Sequence, residues 1–437
     1  MQPQPAPSAR QAWFVVSLLL VAYVFSFLDR QILNLMVAPI RRDLGVSDTQ
    51  ISLLMGFSFA LFYTLLGIPL GRVADTRNRR GLIVLGLLFW SLMTSLCGTA
   101  KQYWQLFLYR VGVGAGEAAL SPAAYSMIAD YFPPERRATA MSVYSMGIYI
   151  GSGMAFLLGG LVVQFAATQG EVVLPLVGPT RPWQVVFYVL GLSGILFSLV
   201  LLLIREPVRT GAGAQTATPL REVLAYLRRN GQTVLSHNLG FALLGLCAYA
   251  AMAWIPTVFI RIHGWSAPQI GVCFGLIVMI AGSLGLLAGG ALADRWRKDG
   301  HVDAPMRVGM LSALLLLPST AAYLLIPQAP VAAIFLAPAM FATSMPFGVA
   351  AAAIQDIMPS RMRAQASAVY LFVVNMIGLG VGPTAVALLT DYLFERDNAV
   401  HYSVLLVVVL GAVLAAAILH WGRQAYGRSL AALDQLS

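Results

Sequence analysis

The chain has 437 residues, of which 59% are hydrophobic and only 11% charged, where soluble domains carry about 25% charged residues. With a mean hydropathy of +0.77, so much apolar surface cannot be hidden in a water-soluble fold of this size, whose exterior still needs polar groups. This excludes a soluble enzyme, a disordered chain and a disulfide scaffold, and leaves a polytopic membrane protein. A net charge of +10 would suggest nucleic acid in a soluble protein; here the placement of the charges decides.

Residues 1–10, MQPQPAPSAR, are Pro-rich and read as disordered. A helix crossing the hydrocarbon needs about 20 mostly apolar residues. Twelve runs meet this, at 13–39, 49–74, 81–100, 103–130, 138–166, 183–204, 235–261, 267–293, 306–326, 329–357, 364–390 and 401–422. They are too long and too uniformly apolar for barrel strands. The first is too long for a signal-peptide core and reads as a retained helix. Between the sixth and seventh runs, residues 206–230 form the longest polar stretch. Its Gly/Ala/Thr part is a flexible linker. Pro219–Asn230 alternates Leu/Val with Arg/Glu at helical spacing, which fits either a short interfacial helix or a solvated tether. With a cytoplasmic N-terminus, 20 Lys and Arg fall on the cytoplasmic side, six on the other, and Arg30 and Arg110 within spans. That bias places both termini inside and explains the basic charge without nucleic acid. The expected fold is therefore an all-α polytopic membrane protein of 12 transmembrane helices in two six-helix bundles, 1–205 and 235–437, joined by a cytoplasmic linker at 206–234.

The halves repeat. DYFPPERRATAMSVY (Asp130–Tyr144) aligns without gaps to DIMPSRMRAQASAVY (Asp356–Tyr370), seven of 15 positions being identical. GRVADTRNRR from Gly71 similarly matches GALADRWRK from Gly290. Such a doubled bundle is a transporter architecture, with its binding site between the halves near mid-membrane. GRVADTRNRR resembles the loop signature of the major facilitator superfamily, with Gly71, Asp75, Arg79 and Arg80 in the signature positions and Thr76 where Arg is usual. Gly71 is expected to allow close helix approach. Asp75 is expected to pair with an Arg or cap a neighbouring helix N-terminus. With Asp130 and Arg137, and with Asp294, Arg295, Asp356 and Arg363 in the second half, these residues form the expected gates. The alternative is that the charges only satisfy topology.

Four ionisable residues lie well within spans: Asp29 and Arg30 in the first, Arg110 and Glu117 in the fourth. A charge facing lipid at mid-bilayer costs about 2.5–3.5 kcal/mol on insertion scales, so these groups should face an aqueous cavity or one another. Asp29 lies about 18 Å from the Arg41 end of its run and Glu117 about 21 Å from the Tyr103 end, so the carboxylates sit at similar depth. Arg110 and Glu117, two turns apart, share a helix face, whereas Asp29 and Arg30, about 100° apart, cannot both point into one cavity. A buried carboxylate beside an arginine is under two large, opposed influences, desolvation and the neighbouring cation. A small change of access or partner then alters its protonation. Asp29 and Glu117 are thus read as proton carriers, with Arg30 and Arg110 tuning them or holding an anionic group; the alternative is a static salt-bridge network.

FLDRQILNLMVAPIRRDLGVSDTQISLL and YRVGVGAGEAALSPAAYSMIADYFPPERRATAMS resemble the Spinster branch of the superfamily, which is linked to lysolipids and sphingoid lipids. The resemblance ties Asp29, Arg30, Arg110 and Glu117 to proton coupling and gating. It implies a proton-coupled, alternating-access transporter of an amphipathic molecule, with an organic-anion symporter or a non-transporting receptor as the other readings. Polar and aromatic residues near mid-span, Tyr23, Asn34, Tyr149, Tyr249, Trp254, Tyr370 and Asn375, are candidate cavity residues. Gly112, Gly114 and Gly116 sit in an apolar helix and read as close-packing positions rather than a nucleotide loop. Cys97, Cys247 and Cys273 read as buried thiols, and the five histidines are scattered, so no metal site, cofactor or catalytic constellation is expected. The expected partners are protons, a small amphipathic or anionic substrate and the bilayer, with the protein a monomer in a bacterial inner membrane.

Overall fold

A computed structural model describes residues 8–132, 140–141, 143–169, 172–174, 178–207, 220–359 and 362–434. Among these, 11 helical stretches are long and apolar enough to cross a bilayer. They match, in order, every predicted run except the fourth. That run is two helices, Tyr103–Glu117 and Leu120–Tyr131, each too short to cross alone. The linking Ala118 and Ala119 keep right-handed helical dihedrals, so the chain continues through one tightened turn. Pro122 supplies the reason: it has no N–H to offer the Ala118 carbonyl four residues back, and its ring crowds that carbonyl. The first run breaks in the same way. Helix Ala9–Gln31 passes into a 3-10 turn at Ile32–Leu35 and resumes at Val37–Leu44, with Pro39 four residues beyond Leu35. Both breaks directly follow the ionisable residues of their spans.

Local capping sets several boundaries. Ser47 and Gln50 exchange side-chain and backbone bonds in a capping box (3.2 and 3.0 Å). Asn78 caps helix Arg79–Cys97 through the Gly81 amide at 2.6 Å. The apolar sides of the spans stay outside, with Leu85, Leu108, Leu196, Leu287 and Ile334 largely exposed, as lipid-facing side chains require. A short antiparallel hairpin, Val172–Leu174 with Gly178–Thr180, which the hydropathy does not announce, lies between the fifth and sixth spans.

The helices form two compact units. One comprises 1–213 with 266–276, the other 214–265 with 277–437. In the first, the start of the eighth predicted span packs on the fifth: a Cβ at Gly271 would meet the Phe156 carbonyl at 2.5 Å. The glycines of the fourth span also have packing roles, since a Cβ at Gly114 would lie 2.7 Å from the Phe59 carbonyl. In the second unit, the polar stretch after the sixth span contains a helix, Leu220–Arg229. Val223 and Leu227 are buried, and Tyr226 donates to the Ile357 carbonyl at 3.0 Å, so this segment is not simply a solvated tether. The last helix, Val400–Asp434, runs well past the predicted end at 422.

That extension has a reason. Arg423 reaches Asp303, just before helix Ala304–Leu325, at 2.5 Å, and Arg307 approaches the same carboxylate at 2.8 Å. Burial pushes the Asp303 carboxyl upward, but the hydrogen bonds and charges of Arg423 and Arg307 outweigh it and hold the group below its ordinary value. A depressed acid stabilises the fold above its unfolded value and loses that contribution as pH falls through the folded one. The difference in melting temperature between wild type and Asp303→Asn should therefore be constant from about pH 8 to about pH 5 and shrink below about pH 4. Thermal unfolding of purified protein across that range checks it; a difference that grew on acidification would contradict the assignment.

Candidate transport site and gates

The four intramembrane charges come together in the first unit, but not as two adjacent pairs. Arg30 turns to Glu117: both Nε and Nη2 lie 2.8 Å from Oε2. Ser26, one turn before Arg30, donates to the same oxygen at 2.5 Å and accepts from Arg30 Nη2 at 3.4 Å. The guanidinium is boxed by the rings of Phe59, Tyr63 and Phe27, at 4.2, 4.6 and 4.8 Å from their centroids. A weakly hydrated planar cation accepts such a box, where an ammonium would lose more.

Asp29 turns the other way. Its Oδ2 accepts from the Thr94 hydroxyl at 3.0 Å. Asp29 lies in the last turn of its helix, where carbonyls lose their intrahelical amides, and Arg110 Nη1 donates to the freed Asp29 carbonyl at 3.2 Å. Arg110 is 0% exposed and Glu117 1%. Yet Arg110 Nε and Nη2, Asp29 Oδ1 and Glu117 Oε1 have no hydrogen-bond partner among the described residues. Each such buried polar atom costs about 1–3 kcal/mol, more when charged. A purely structural ion network would be expected to pair them.

The candidate cavity residues divide. Tyr23 stacks on Tyr144 at 4.4 Å, Asn34 donates to Gln31 at 2.6 Å, and Tyr149 is buried, all in the first unit. In the second unit Trp254 is fully buried and donates to the Pro383 carbonyl at 2.9 Å, which makes it a packing anchor rather than a lining residue. Tyr249 meets Phe347 edge-on, and Asn375 opens a π-helical stretch, Asn375–Val381, just before Pro383. Tyr370, the repeat counterpart of Tyr144, packs 5.1 Å from the ring of His237. His237, which its scattered position in the sequence did not distinguish, is fully buried between Asn238 Oδ1 (3.0 Å) and the Ala350 carbonyl (2.9 Å).

The candidate gates are built on residues partly different from those expected. Arg79, 1% exposed, bonds Asp130 at 2.5 Å, Ser126 Oγ at 2.9 Å, the Pro207 carbonyl at 3.1 Å and Glu206 at 2.8 Å. Glu206 also accepts the Arg80 amide at 2.8 Å. Gly71 does not mark a tight approach: a Cβ there would meet only Pro122, at an ordinary 3.9 Å. Asp75 lies at the end of helix Ser58–Thr76 and Arg363 begins helix Arg363–Val374, but both side chains, and all of Arg137, fall outside the described residues. In the second unit Asp294 and Arg295 are exposed, and Arg297 instead reaches Asp356 at 2.5 Å. The physical reason is helix length. The second-unit helix continues unbroken to Lys298, whereas its counterpart ends at Thr76, so different basic residues face the motif aspartate. Ser26, Thr94, Glu206 and Arg297 escaped sequence reasoning. Only Ser26, one helical turn from Arg30, carried a spacing signal. Because Arg79 is buried with four partners and Arg297 is 49% exposed at its side chain with one ion pair, Arg79→Ala should destabilise by about 3 kcal/mol and Arg297→Ala by less than about 1 kcal/mol. Denaturation of the two variants in micelles checks this; equal losses would refute the difference in burial.

The chain matches the family model described as Major Facilitator Superfamily over residues 19–383. It is 32% identical over 422 residues to an "MFS-type efflux pump" of Mycolicibacterium smegmatis, covering 94% of this chain and 92% of that one. It is 26% identical over 437 residues to "Protein spinster homolog 1" of Homo sapiens, covering 93% and 79%. Its fold resembles the crystal structure of a bacterial homolog to the human lysosomal transporter Spinster, with a TM-score of 0.79, 27% identity, and coverage of 97% of this chain and 99% of that one. With its apolar spans, this is an integral membrane protein, and it belongs to the major facilitator superfamily of transporters, in the Spinster-like branch.

Proposed function

We propose that the protein is a proton-coupled secondary transporter that carries an amphipathic organic molecule with a charged head, and that Asp29 and Glu117 carry the protons. The observation that bears most weight is the unpartnered chemistry around Arg110: a fully buried guanidinium with two open donors, near an aspartate with an open oxygen. Those donors suit either the Asp29 carboxylate or an anionic substrate group, but not both at once. Competition of that kind couples the two. Glu117 is the more firmly held acid, with three donors on one oxygen; among the described residues Asp29 accepts from the Thr94 hydroxyl alone. Asp29 is then the group whose partner changes most easily.

Alternating access supplies the rest of the cycle, with the Arg79–Asp130–Glu206 and Arg297–Asp356 clusters breaking and reforming at the cytoplasmic side. The bias of basic residues supports a cytoplasmic placement of both termini, in a bacterial inner membrane. The efflux pump among the relatives favours export, and the Spinster likeness favours lysolipid or sphingoid-type cargo. A thermal-shift panel of lysolipids, sphingoid bases, sugar acids and drugs identifies the ligand, and liposome transport of the hit across a pH gradient tests coupling. Asp29→Asn and Glu117→Gln should each abolish proton-driven accumulation while retaining at least part of ligand-driven exchange. Undiminished coupling in both variants sinks the proton assignment. Binding without counterflow would instead identify a receptor, and a preference for sugar acids an organic-anion symporter.

A further inference from the structure

At the end of the second unit that holds the Arg297–Asp356 pair, the start of helix Gly231–His263 lies against the last turns of helix Val400–Asp434. A Cβ at Gly240 would lie 2.6 Å from Leu419, and one at Gly422 would overlap the Ser236 hydroxyl, so the two helices meet closely. The Thr233 and Ser429 hydroxyls are 2.9 Å apart, and Ser429 donates to Asn230 Oδ1 at 3.0 Å. The outer surface of this seam is graded. Leu410, Leu414, Trp421 and Arg428 follow one another at intervals of four, seven and seven residues, which keeps them on one helix face, and all four are exposed. Leu235, also exposed and one turn from Gln232, extends the apolar part onto the neighbouring helix. Gln232 fixes where the charge falls. Its Nε2 donates to the Trp421 carbonyl at 3.3 Å, and its Oε1 accepts from Arg428 Nη2 at 3.3 Å. One amide group therefore separates the guanidinium from the Trp421 backbone, although Arg428 itself lies about 10 Å further along the helix.

Two more arginines adjoin. Arg228 and Arg229 end helix Leu220–Arg229, are exposed, and directly precede Asn230, which the Ser429 bond ties to the residue after Arg428. Among the described residues none of the three arginines is in an ion pair. Asp303 is taken up by Arg307 and Arg423. Glu222 is two turns from Arg229, and Asp434 is six residues beyond Arg428, about 120° round the helix from it. Positive charge thus prevails, directly above an aromatic ring and an apolar stripe. That is the order of one bilayer leaflet, with chains, then interface, then phosphates, and clustered Arg beside a span attracts anionic lipid. A free anion would leave the leucines unused, and a zwitterionic headgroup would bring its own cation against three arginines. An anionic diacyl lipid matches every level.

We propose that the seam between the seventh and last spans binds one anionic phospholipid of the adjoining leaflet, its phosphate at Arg428, Arg228 and Arg229 and a chain along Trp421, Leu414 and Leu235. The inference is independent of what the protein transports. It is tested on the full chain, stripped of lipid in detergent, by thermal shift and by mass measurement of the intact complex. The probes are phosphatidylglycerol, phosphatidylcholine with the same chains, and inorganic phosphate. Phosphatidylglycerol should raise the melting temperature and leave one lipid on the protein; the other two should do neither. Arg428→Gln should weaken this binding about fivefold, and Arg228→Gln combined with Arg229→Gln by more. Arg10→Gln, an exposed charge removed from the first unit, should bind as wild type does. Should an arginine variant fold poorly, tryptophan emission gives a second readout. At one equivalent, phosphatidylglycerol with brominated chains should quench the wild-type protein more than Trp421→Phe, and equally brominated phosphatidylcholine should show no such difference. Equal responses to the two lipids, a response to phosphate matching that to phosphatidylglycerol, binding undiminished in the arginine variants or weakened as much by Arg10→Gln, or quenching indifferent to Trp421, would overturn the proposal.

Discussion

The cost of placing charge in hydrocarbon governs this structure. Few groups are as unwelcome there as a carboxylate or a guanidinium, yet the first unit holds two of each near the middle of its spans. The pairing of Arg30 with Glu117 answers most of that cost: ionic contact, a bridging serine hydroxyl and three aromatic rings compensate a cation that has lost its water. Asp29 and Arg110 are answered less completely, with one hydroxyl for the carboxylate and one backbone carbonyl for the guanidinium. The difference between a more fully and a less fully satisfied pair, on adjacent residues of one helix, gives the site an asymmetry that a uniform salt-bridge network lacks.

Prolines place these charges. Helices one and four break just beyond Arg30 and Glu117, four residues before Pro39 and Pro122. A broken turn releases carbonyls from their intrahelical partners, and Arg110 uses one of them. The same device recurs in the second unit, where a π-helical stretch precedes Pro383, although no central charge accompanies it. There Tyr370 packs on the His237 ring and lines a small pocket with Phe241, Pro346, Phe347 and Val374, a setting without the charges of the first unit's site.

The duplication is visible in contacts as well as in letters. Asp130 and Asp356 head the repeated motif, and each is held by an arginine from the basic stretch of its own unit. Tyr144 and Tyr370 close the motif, and each packs on a ring from the first span of its unit, Tyr23 and His237 respectively. The repeat has preserved positions while changing the chemistry at them. Burial of Arg79 against exposure of Arg297 makes the two motifs unequal in strength.

Composition and hydropathy determine the class, the number and order of the spans and the doubling, because the bilayer imposes one length and one polarity on every crossing. They also single out Asp29, Arg30, Arg110 and Glu117, since a charge inside an apolar run is conspicuous whatever surrounds it. Which charge meets which is another matter. Adjacent residues on a helix point in directions about 100° apart, and their partners come from other helices whose rotation no local pattern encodes. Hence Thr94, an ordinary threonine in an apolar span, and Glu206, at the edge of a polar stretch, acquire their roles only from packing. The choice of Arg297 over Arg295 likewise depends on a helix that runs on to Lys298. Tertiary structure decided these matters because partnership is a property of distance between helices, and distance between helices is not written along either one.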